Sequence, residues 1–550
     1  MSRSIPHILR YLLSHLRYHK LQALLNTLAG LLLVVVDLGF VWATKLAIDI
    51  ATGQSVALSL PESFLLIAAI MVLRISLVVA SRWIKAILGV KAQNDMRLSL
   101  FSHLLRCKWL DLRTYHTGNL TNRIERDVTD VVNFSTETVP SFITTSCQFI
   151  GAFLFLFWMD RTLALIIVCI LPVFILTGRL YVRKMRRLSR QARDLESGIQ
   201  STIQETLQHV LVVKTLQRVS HFENILSGQQ QSLHQCVLRR TRYSSISATL
   251  LNTGFATGYF VTFAWGAVSL SEGAITYGAM LAFVQLVGQI QGPVRNLTRF
   301  IPVFISSFTA AERLMELEAL QREERKEPGA AALTPPLGLR LSDVSFRYSP
   351  NSRKIIDKLN ITFAPGTTTA ILGETGAGKT TLVRLLLSLV YPTSGTISLI
   401  DAAGNTSPLS PSDRHRFAYV PQGNTLFSGT IRTNLLQADP DATEEMMHEA
   451  LRTAAADFVH RKPLGLDTPC SEAGGGLSEG QAQRVAIARA LLSRGQIFIL
   501  DEATSALDTA TESRVLSQIM EKYPDRTFII ITHRPEALKY AGQAVVQLGI

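Results

Sequence analysis

Residues 368–387 read TTAILGETGAGKTTLVRLLL. The β-branched and apolar run at 368–372 predicts a strand, the glycines after it a tight loop, and the apolar run after Lys379 a helix. Gly373, four residues, then Gly378-Lys379-Thr380 is the spacing of a P-loop. Phosphate chemistry needs this arrangement. Backbone N–H groups at a helix N-terminus point at phosphate oxygens, Lys379 neutralises charge on the β- and γ-phosphates, and the Thr380 hydroxyl holds Mg²⁺. The candidate cradle is Gly373, Glu374, Thr375, Gly376, Ala377, Gly378, Lys379, Thr380 and Thr381. A glycine loop with no ligand is the bland alternative, and the strand–loop–helix context argues against it.

Downstream, GQIFILDEA (495–503) supplies a buried strand at 496–500 that ends in Asp501 and Glu502. A carboxylate at such a strand end suits the Mg²⁺ shell, and a second one beside it suits alignment and activation of an attacking water. Another apolar strand, TFIII (527–531), runs into Thr532 and His533. Alone, His533 reads as a surface histidine; in this company its imidazole is placed to touch a γ-phosphate. Strands alternating with helical stretches after residue 338 make this part an α/β domain.

The part before residue 338 is of another kind. The chain has 550 residues, 47% of them hydrophobic, and a net charge of +13, with a mean hydropathy of +0.23. All the excess charge lies upstream: 34 basic against 21 acidic residues precede residue 338, and 21 of each follow it. Six stretches, near 22–46, 62–85, 138–159, 161–182, 246–270 and 275–298, the fifth the weakest, read as long and apolar enough to span a bilayer, which needs roughly 20 residues. Loops near 48–61 and 270–276 carry no Lys or Arg, whereas Arg179 to Arg193 holds seven, so both termini lie on the cytoplasmic side. The basic surplus therefore marks cytoplasmic loops beside a membrane rather than nucleic-acid binding. Helical periodicity in the connections near 86–137 and 183–245 predicts helices that continue beyond the bilayer.

Residues 5–20, IPHILRYLLSHLRYHK, set Ile8, Leu9, Leu12, Leu13 and Leu16 on one face and bases on the other. Two readings stand side by side: a helix on the inner membrane surface, or an extension of the first span. Asp37, Arg74, Gln285 and Gln289 interrupt the apolar spans, either as a polar path for cargo or as helix–helix hydrogen bonding. The five cysteines, Cys107, Cys147, Cys169, Cys236 and Cys470, have no paired or metal-like spacing and read as reduced and structural. No cleavable signal peptide is evident.

In the order of its motifs the whole chain resembles an ABC exporter half-transporter. That resemblance implies a membrane all-α six-helix transmembrane domain followed by an α/β P-loop NTPase domain, at 1–310 and 339–550 with a linker at 311–338. Tyr348 in VSFRY then corresponds to the aromatic that stacks on adenine, and Gln422 in YVPQ to the glutamine that senses Mg²⁺ and the cytoplasmic loops. Asp508 in SALD resembles the residue at the dimer seam. HTGNLTNRIERDV (116–128) and ETLQHVLVVKTL (205–216) resemble the two cytoplasmic loops, and Glu472 the acidic residue that meets them. LSEGQ (477–481) resembles the family's signature motif, which usually has two glycines after the serine. By resemblance, Ser478, Gly480 and Gln481 serve nucleotide held by the P-loop of a second copy. Glu479 departs from the pattern: pointing away from phosphate it leaves the backbone donors aimed, and pointing inward it weakens closure.

The implied function is ATP-driven efflux of a small molecule, lipid or peptide, with ATP and Mg²⁺ as nucleotide and metal. Glu502, His533, Gln422 and Lys379 are the catalytic candidates, and Thr380, Gln422 and Asp501 the metal candidates. The expected partners are a second copy in a homodimer and the lipid bilayer, with no nucleic acid, and the expected location is a bacterial inner membrane. A heterodimer subunit and an ATP-gated, non-transporting channel or regulator remain alternatives. A soluble ATPase acting on nucleic acid conflicts with six spans and a neutral second half. Family ATPase domains usually continue beyond the strand matching AVVQLG, so a final helix is expected to be missing at Ile550.

Overall fold

In hydrocarbon each backbone N–H and C=O must find a partner within the chain, so long apolar runs become helices. The first ten helical segments bear this out: α1 (Ile5–Ser14), α2 (Lys20–Ala51), α3 (Leu60–Leu104), α4 (Trp109–Arg113), α5 (Thr117–Asn122), α6 (Val128–Asn133), α7 (Val139–Met159), α8 (Arg161–Gln208), α9 (Val210–Thr215) and α10 (Val219–Ser271). The eleventh, α11, runs Tyr277–Glu318. This computed structural model describes residues 4–14, 20–55, 57–323, 333–374, 376–471, 476–534, 539–540 and 545–548. They fall into two units, Met1–Phe101 with Gly118–Glu318, and Ser102–Thr117 with Ala319–Ile550.

In the first unit each expected span coincides with one long helix, α2, α3, α7, α8, α10 or α11. At about 1.5 Å per residue the 45 residues of α3 extend to about 68 Å, twice the hydrocarbon thickness. Among the described residues, three helical stretches are long and apolar enough by composition to cross a membrane: Leu21–Ala51, Leu60–Leu104 and Thr117–Met159. The last two expected spans carry polar groups on the faces that are buried against protein. Thr262 of α10 is fully buried and donates to the Gly258 carbonyl, while Gln291 of α11 donates to Phe255 O at 3.1 Å. A Cβ on Gly258 would lie 2.6 Å from Gln291 Nε2, so this glycine permits the approach of α10 and α11.

Polar side chains in the spans bond across helices. Arg74 pairs with Asp37 at 2.6 Å, Gln289 Nε2 donates to Asp37 O at 3.3 Å, and Thr44 Oγ1 donates to Gln285 at 3.3 Å. Of the amphipathic N-terminal stretch, Ile8 and Leu12 are buried against protein and Ser135 donates to Leu12 O. Leu16 lies outside the described residues.

The second unit contains the α/β layers. A parallel sheet has the order β11 (Val545–Leu548), β3 (Thr368–Gly373), β10 (Thr527–Ile531), β9 (Ile497–Asp501), β6 (Phe417–Val420). An antiparallel sheet has the order β2 (Ile356–Phe363), β1 (Leu337–Phe346), β4 (Ser394–Asp401), β5 (Thr406–Pro408), and the short strands β7 (Gly429–Thr430) and β8 (Pro469–Cys470) pair with each other. Strands β9 and β10 are buried along their whole length, the pattern of a parallel sheet covered on both faces. Helices α12 (Lys379–Leu386), α13 (Ile431–Leu436), α14 (Glu444–Thr453), α15 (Phe458–Arg461), α16 (Glu479–Leu492) and α17 (Thr509–Lys522) complete the unit. Parallel strands end together, so the carboxyl ends of β3, β9 and β10 place their following residues side by side.

The expected linker at 311–338 begins as helix, since α11 continues to Glu318. Segment 102–117, just ahead of the expected first cytoplasmic loop at 116–128, clusters with the second unit, whereas residues from Gly118 onward cluster with the first. All five cysteines are free.

Candidate functional site

The turn after β3 is made possible by Gly376 and Gly378, at φ 95° and 91°, backbone that a side chain disfavours. Gly378 caps α12, and a Cβ there would press against Ile355 at 3.1 Å. Lys379, only 8% exposed, folds back to donate to the Gly373 carbonyl at 2.6 Å and to His533 Nε2. The adjoining Glu502 lies 3.2 Å from Nε2 through one carboxylate oxygen, and the Gln422 amide donates to the other at 2.7 Å. Thus Lys379, Gln422, Glu502 and His533, expected on separate motifs, meet in one cluster.

Glu502 has φ 49°, and its N–H donates to Ile531 O at 2.9 Å. A glutamate in left-handed backbone is a sparsely populated state held by its surroundings, of the kind that gathers at functional sites. Its neighbour Asp501 is 5% exposed. Burial, with help from the Glu502 charge, pushes the Asp501 carboxyl above its usual range, while Tyr419, donating at 3.3 Å, opposes the shift. Burial and the adjacent Asp501 push the Tyr419 phenol up as well. A buried carboxylate in this setting is short of positive charge. Asp501, the Thr380 hydroxyl and the Gln422 amide oxygen are hard-oxygen donors, the class Mg²⁺ takes alongside phosphates and water, so the chemistry of these residues fits the ion.

LSEGQ has a different geometry. Ser478 caps α16, accepting from Gln481 N at 3.3 Å, and Gln481 Oε1 accepts from Ser478 N at 3.2 Å. This capping box occupies both side chains locally. Glu479 is exposed in the first turn, where the helix dipole favours a carboxylate. Gly480 faces inward: a Cβ would lie 2.9 Å from Ala506 O and 3.3 Å from Leu507. The two positions after the serine are therefore unequal, and the glutamate stands at the tolerant one. Asp508 caps α17 by accepting from Thr511 N at 3.0 Å, and its bonds with Thr511 hold its carboxyl below the ordinary range. Thr375 and Glu472 lie outside the described residues.

Several residues escaped the sequence reading. Buried Gln483 joins α16 to residues 505–506, donating to Ser505 Oγ and accepting from Ala506 N, both at 3.1 Å. Arg534, next to His533, donates to Leu507 O and Ser505 O at 2.7 Å and pairs with buried Glu512 at 2.8 Å. It ties the histidine's turn to the stretch leading to Asp508. Tyr348 lies beside α12, its hydroxyl accepting from Arg384 at 2.6 Å. The signal available for Gln483 was a lone amide on the face of α16 that otherwise carries alanines, valine and isoleucine.

Comparison with known proteins finds relatives for both halves of the chain. The ABC transporter transmembrane region family matches residues 23–294, and the ABC transporter family matches residues 356–505. A Staphylococcus aureus ATP-binding/permease protein, provisionally named a multidrug exporter, is 30% identical over 83% of this chain and 79% of its own length. The ATP-dependent lipid A-core flippase of Bordetella avium is 29% identical over 82% of this chain and 76% of its own. In fold, the structure of a bacterial Atm1-family ABC exporter with ATP bound superposes with a TM-score of 0.75 at 24% identity, covering 97% of this chain and 94% of that one. Both halves being matched, in this order along one chain, it belongs to the ABC transporter family as an exporter-type half-transporter, a multi-pass membrane unit joined to an ATPase.

Proposed function

We propose that two copies of this chain pair to form two ATP sites and drive export of an apolar or amphipathic cargo, a small molecule, lipid or peptide, out of a bacterial inner membrane. The observation that carries the pairing is the separation of the site residues. Lys379, Gln422, Asp501, Glu502 and His533 form one cluster, while Ser478 and Gln481 bond to each other at the exposed start of α16. A helix N-terminus with free N–H groups attracts anions, and a second copy's γ-phosphate is the anion that this end would cap.

In this reading Tyr348 stacks on adenine and the 373–381 loop holds the phosphates. Thr380, Asp501 and Gln422 would hold Mg²⁺, which when bound neutralises phosphate charge. Glu502 orients a water and takes its proton, with Gln422 fixing the carboxylate; His533 contacts the γ-phosphate. Asp508 sits at the seam between copies. Closure of the paired ATPase units turns the membrane helices outward, and hydrolysis resets them. The names of the relatives, one for multidrug export and one for a lipid flippase, support an apolar or amphipathic cargo.

Mixing tests the pairing. A Lys379→Ala protein and a Ser478→Ala protein, each inactive alone, should regain part of the wild-type ATPase when co-assembled in nanodiscs, because a mixed pair keeps one whole site. No recovery in pairs verified to be mixed, or full-speed hydrolysis by strictly monomeric chains, would refute it. ATPase stimulation and vesicle uptake with a panel of lipids and drug-like compounds would identify the cargo class.

A further inference from the structure

We propose that Arg384 is a positioning residue of the nucleotide site, fixing the ring of Tyr348, and that Trp109 in turn holds Arg384. The proposal rests on the reading of Tyr348 as the adenine platform.

Tyr348 stands two residues beyond β1, on a loop, where ring orientation is set by contacts rather than by a sheet. It has three. Its edge meets Phe346 at 4.9 Å and 85°, its hydroxyl lies 3.2 Å from Thr381 Oγ1, and Arg384 Nη1 donates to that hydroxyl at 2.6 Å. The last is a charge-assisted bond, the stronger kind. Arg384 occupies the last turn of α12, the helix whose first turn carries Lys379 and Thr380. Its guanidinium therefore joins the two ends of the expected nucleotide contact, adenine on one side and phosphates on the other.

The other side of Arg384 is also occupied. Its Cζ lies 4.8 Å from the ring centroid of Trp109, and Arg113 Cζ lies 5.4 Å from the same ring. Trp109 and Leu110 of α4 pack against the apolar core that contains α12. The stretch before α4 is pinned by backbone bonds, Lys108 N to Gln321 O at 2.9 Å and Glu323 N to Arg106 O at 2.8 Å. Glu323 grips Arg414 through both carboxylate oxygens at 2.7 and 2.9 Å, and Arg414 donates to Leu387 O and Ser388 O at 2.8 and 2.7 Å. α12 is thus held at two points: the Arg384 side chain by Trp109 of segment 102–117, and the carbonyls just past its C-terminus by Arg414, itself gripped by Glu323, whose N–H is bonded to that segment. A shift of α4 would move the guanidinium, and with it the plane on which a base stacks.

The test is ATPase kinetics of the full-length protein in nanodiscs. Tyr348→Phe keeps the ring but removes the hydroxyl; Arg384→Gln removes the donor fork; Arg384→Lys keeps the charge without the fork and serves if the glutamine variant folds poorly. Each of the first two should raise KM for ATP by about tenfold with kcat within about twofold, the consequence of losing a bond worth about one decade in affinity. Combined, they should raise it little further, since both break the same contact. Trp109→Ala should raise KM about threefold in the wild-type background and not in Arg384→Gln. Multiplying effects of Tyr348→Phe and Arg384→Gln would overturn the proposal, as would a loss confined to kcat, which would assign Arg384 to the Asp501 carboxylate instead. Tyr348→Ala separates the two readings. If it leaves KM unchanged, the adenine platform itself is wrong; if it raises KM while Arg384→Gln does not, only the positioning role falls.

Discussion

In the membrane unit Asp37 and Arg74 meet across two helices, while Leu65 and Val72 remain 72% and 65% exposed and Trp158 79% exposed. In the ATPase unit Asp501 is gathered with Glu502, Lys379 and His533 around buried strand ends, and the large side chains beneath them, such as Phe498 and Phe528, are almost fully covered. The same residue types have different meanings in these two settings. Lipid covers apolar faces without demanding a particular shape, so composition suffices there and single residues are interchangeable. Around the strand ends Lys379, Tyr419, Gln422, Asp501, Glu502 and His533 contact specific partners, and replacing one group changes the chemistry.

The comparison is sharpest when each unit loses one polar group. Glu502→Gln should lower ATP turnover by roughly 10²–10⁴-fold with nucleotide affinity largely retained, because the base is lost and the Gln422 contact can persist as an amide pair. Steady-state hydrolysis beside nucleotide-binding titration reads this, and near wild-type turnover would remove Glu502 from its role. Next in size, Gly480→Ala should lower hydrolysis about tenfold, since its Cβ meets the Ala506 carbonyl within 2.9 Å, while Glu479→Gly should stay within about twofold. Equal effects at the two positions would mean that the exposure of Glu479 does not decide the motif's tolerance. The smallest effect belongs to the membrane unit. Arg74→Met should cost about 1 kcal/mol in thermal unfolding in detergent by leaving Asp37 unpaired, and adding Asp37→Asn should recover part of it. A double variant no better than the single one would show that the pair is not a structural link.

The site was legible in the sequence to the extent that chemistry is local. A P-loop, a strand ending in Asp501-Glu502 and a strand ending in Thr532-His533 are short, contiguous patterns, and hydrogen bonding within a turn or strand fixes most of their geometry. Span positions were legible because bilayer thickness sets a length. Polar residues mark α10 and α11 because Gln291 of α11 bonds to the Phe255 carbonyl of α10 and Thr262 is buried against protein, so neither answers to lipid. The hold of Gln483 and Arg534 on residues 505–507 was invisible, since nothing in a one-dimensional pattern says which carbonyl an arginine 27 residues away will reach.

By itself the sequence determined the order of the two units and the family, and it named the phosphate loop and the candidate reacting groups, because these depend on residue types at fixed local spacing. Tertiary structure alone decided that Gln422 and His533 both reach the Glu502 carboxylate, that Glu479 faces outward while Gly480 faces Ala506, and that Trp109 reaches Arg384. Those outcomes turn on distances between segments far apart in the chain, set by how β9, β10, α12 and α16 pack, and packing is a property of the whole core.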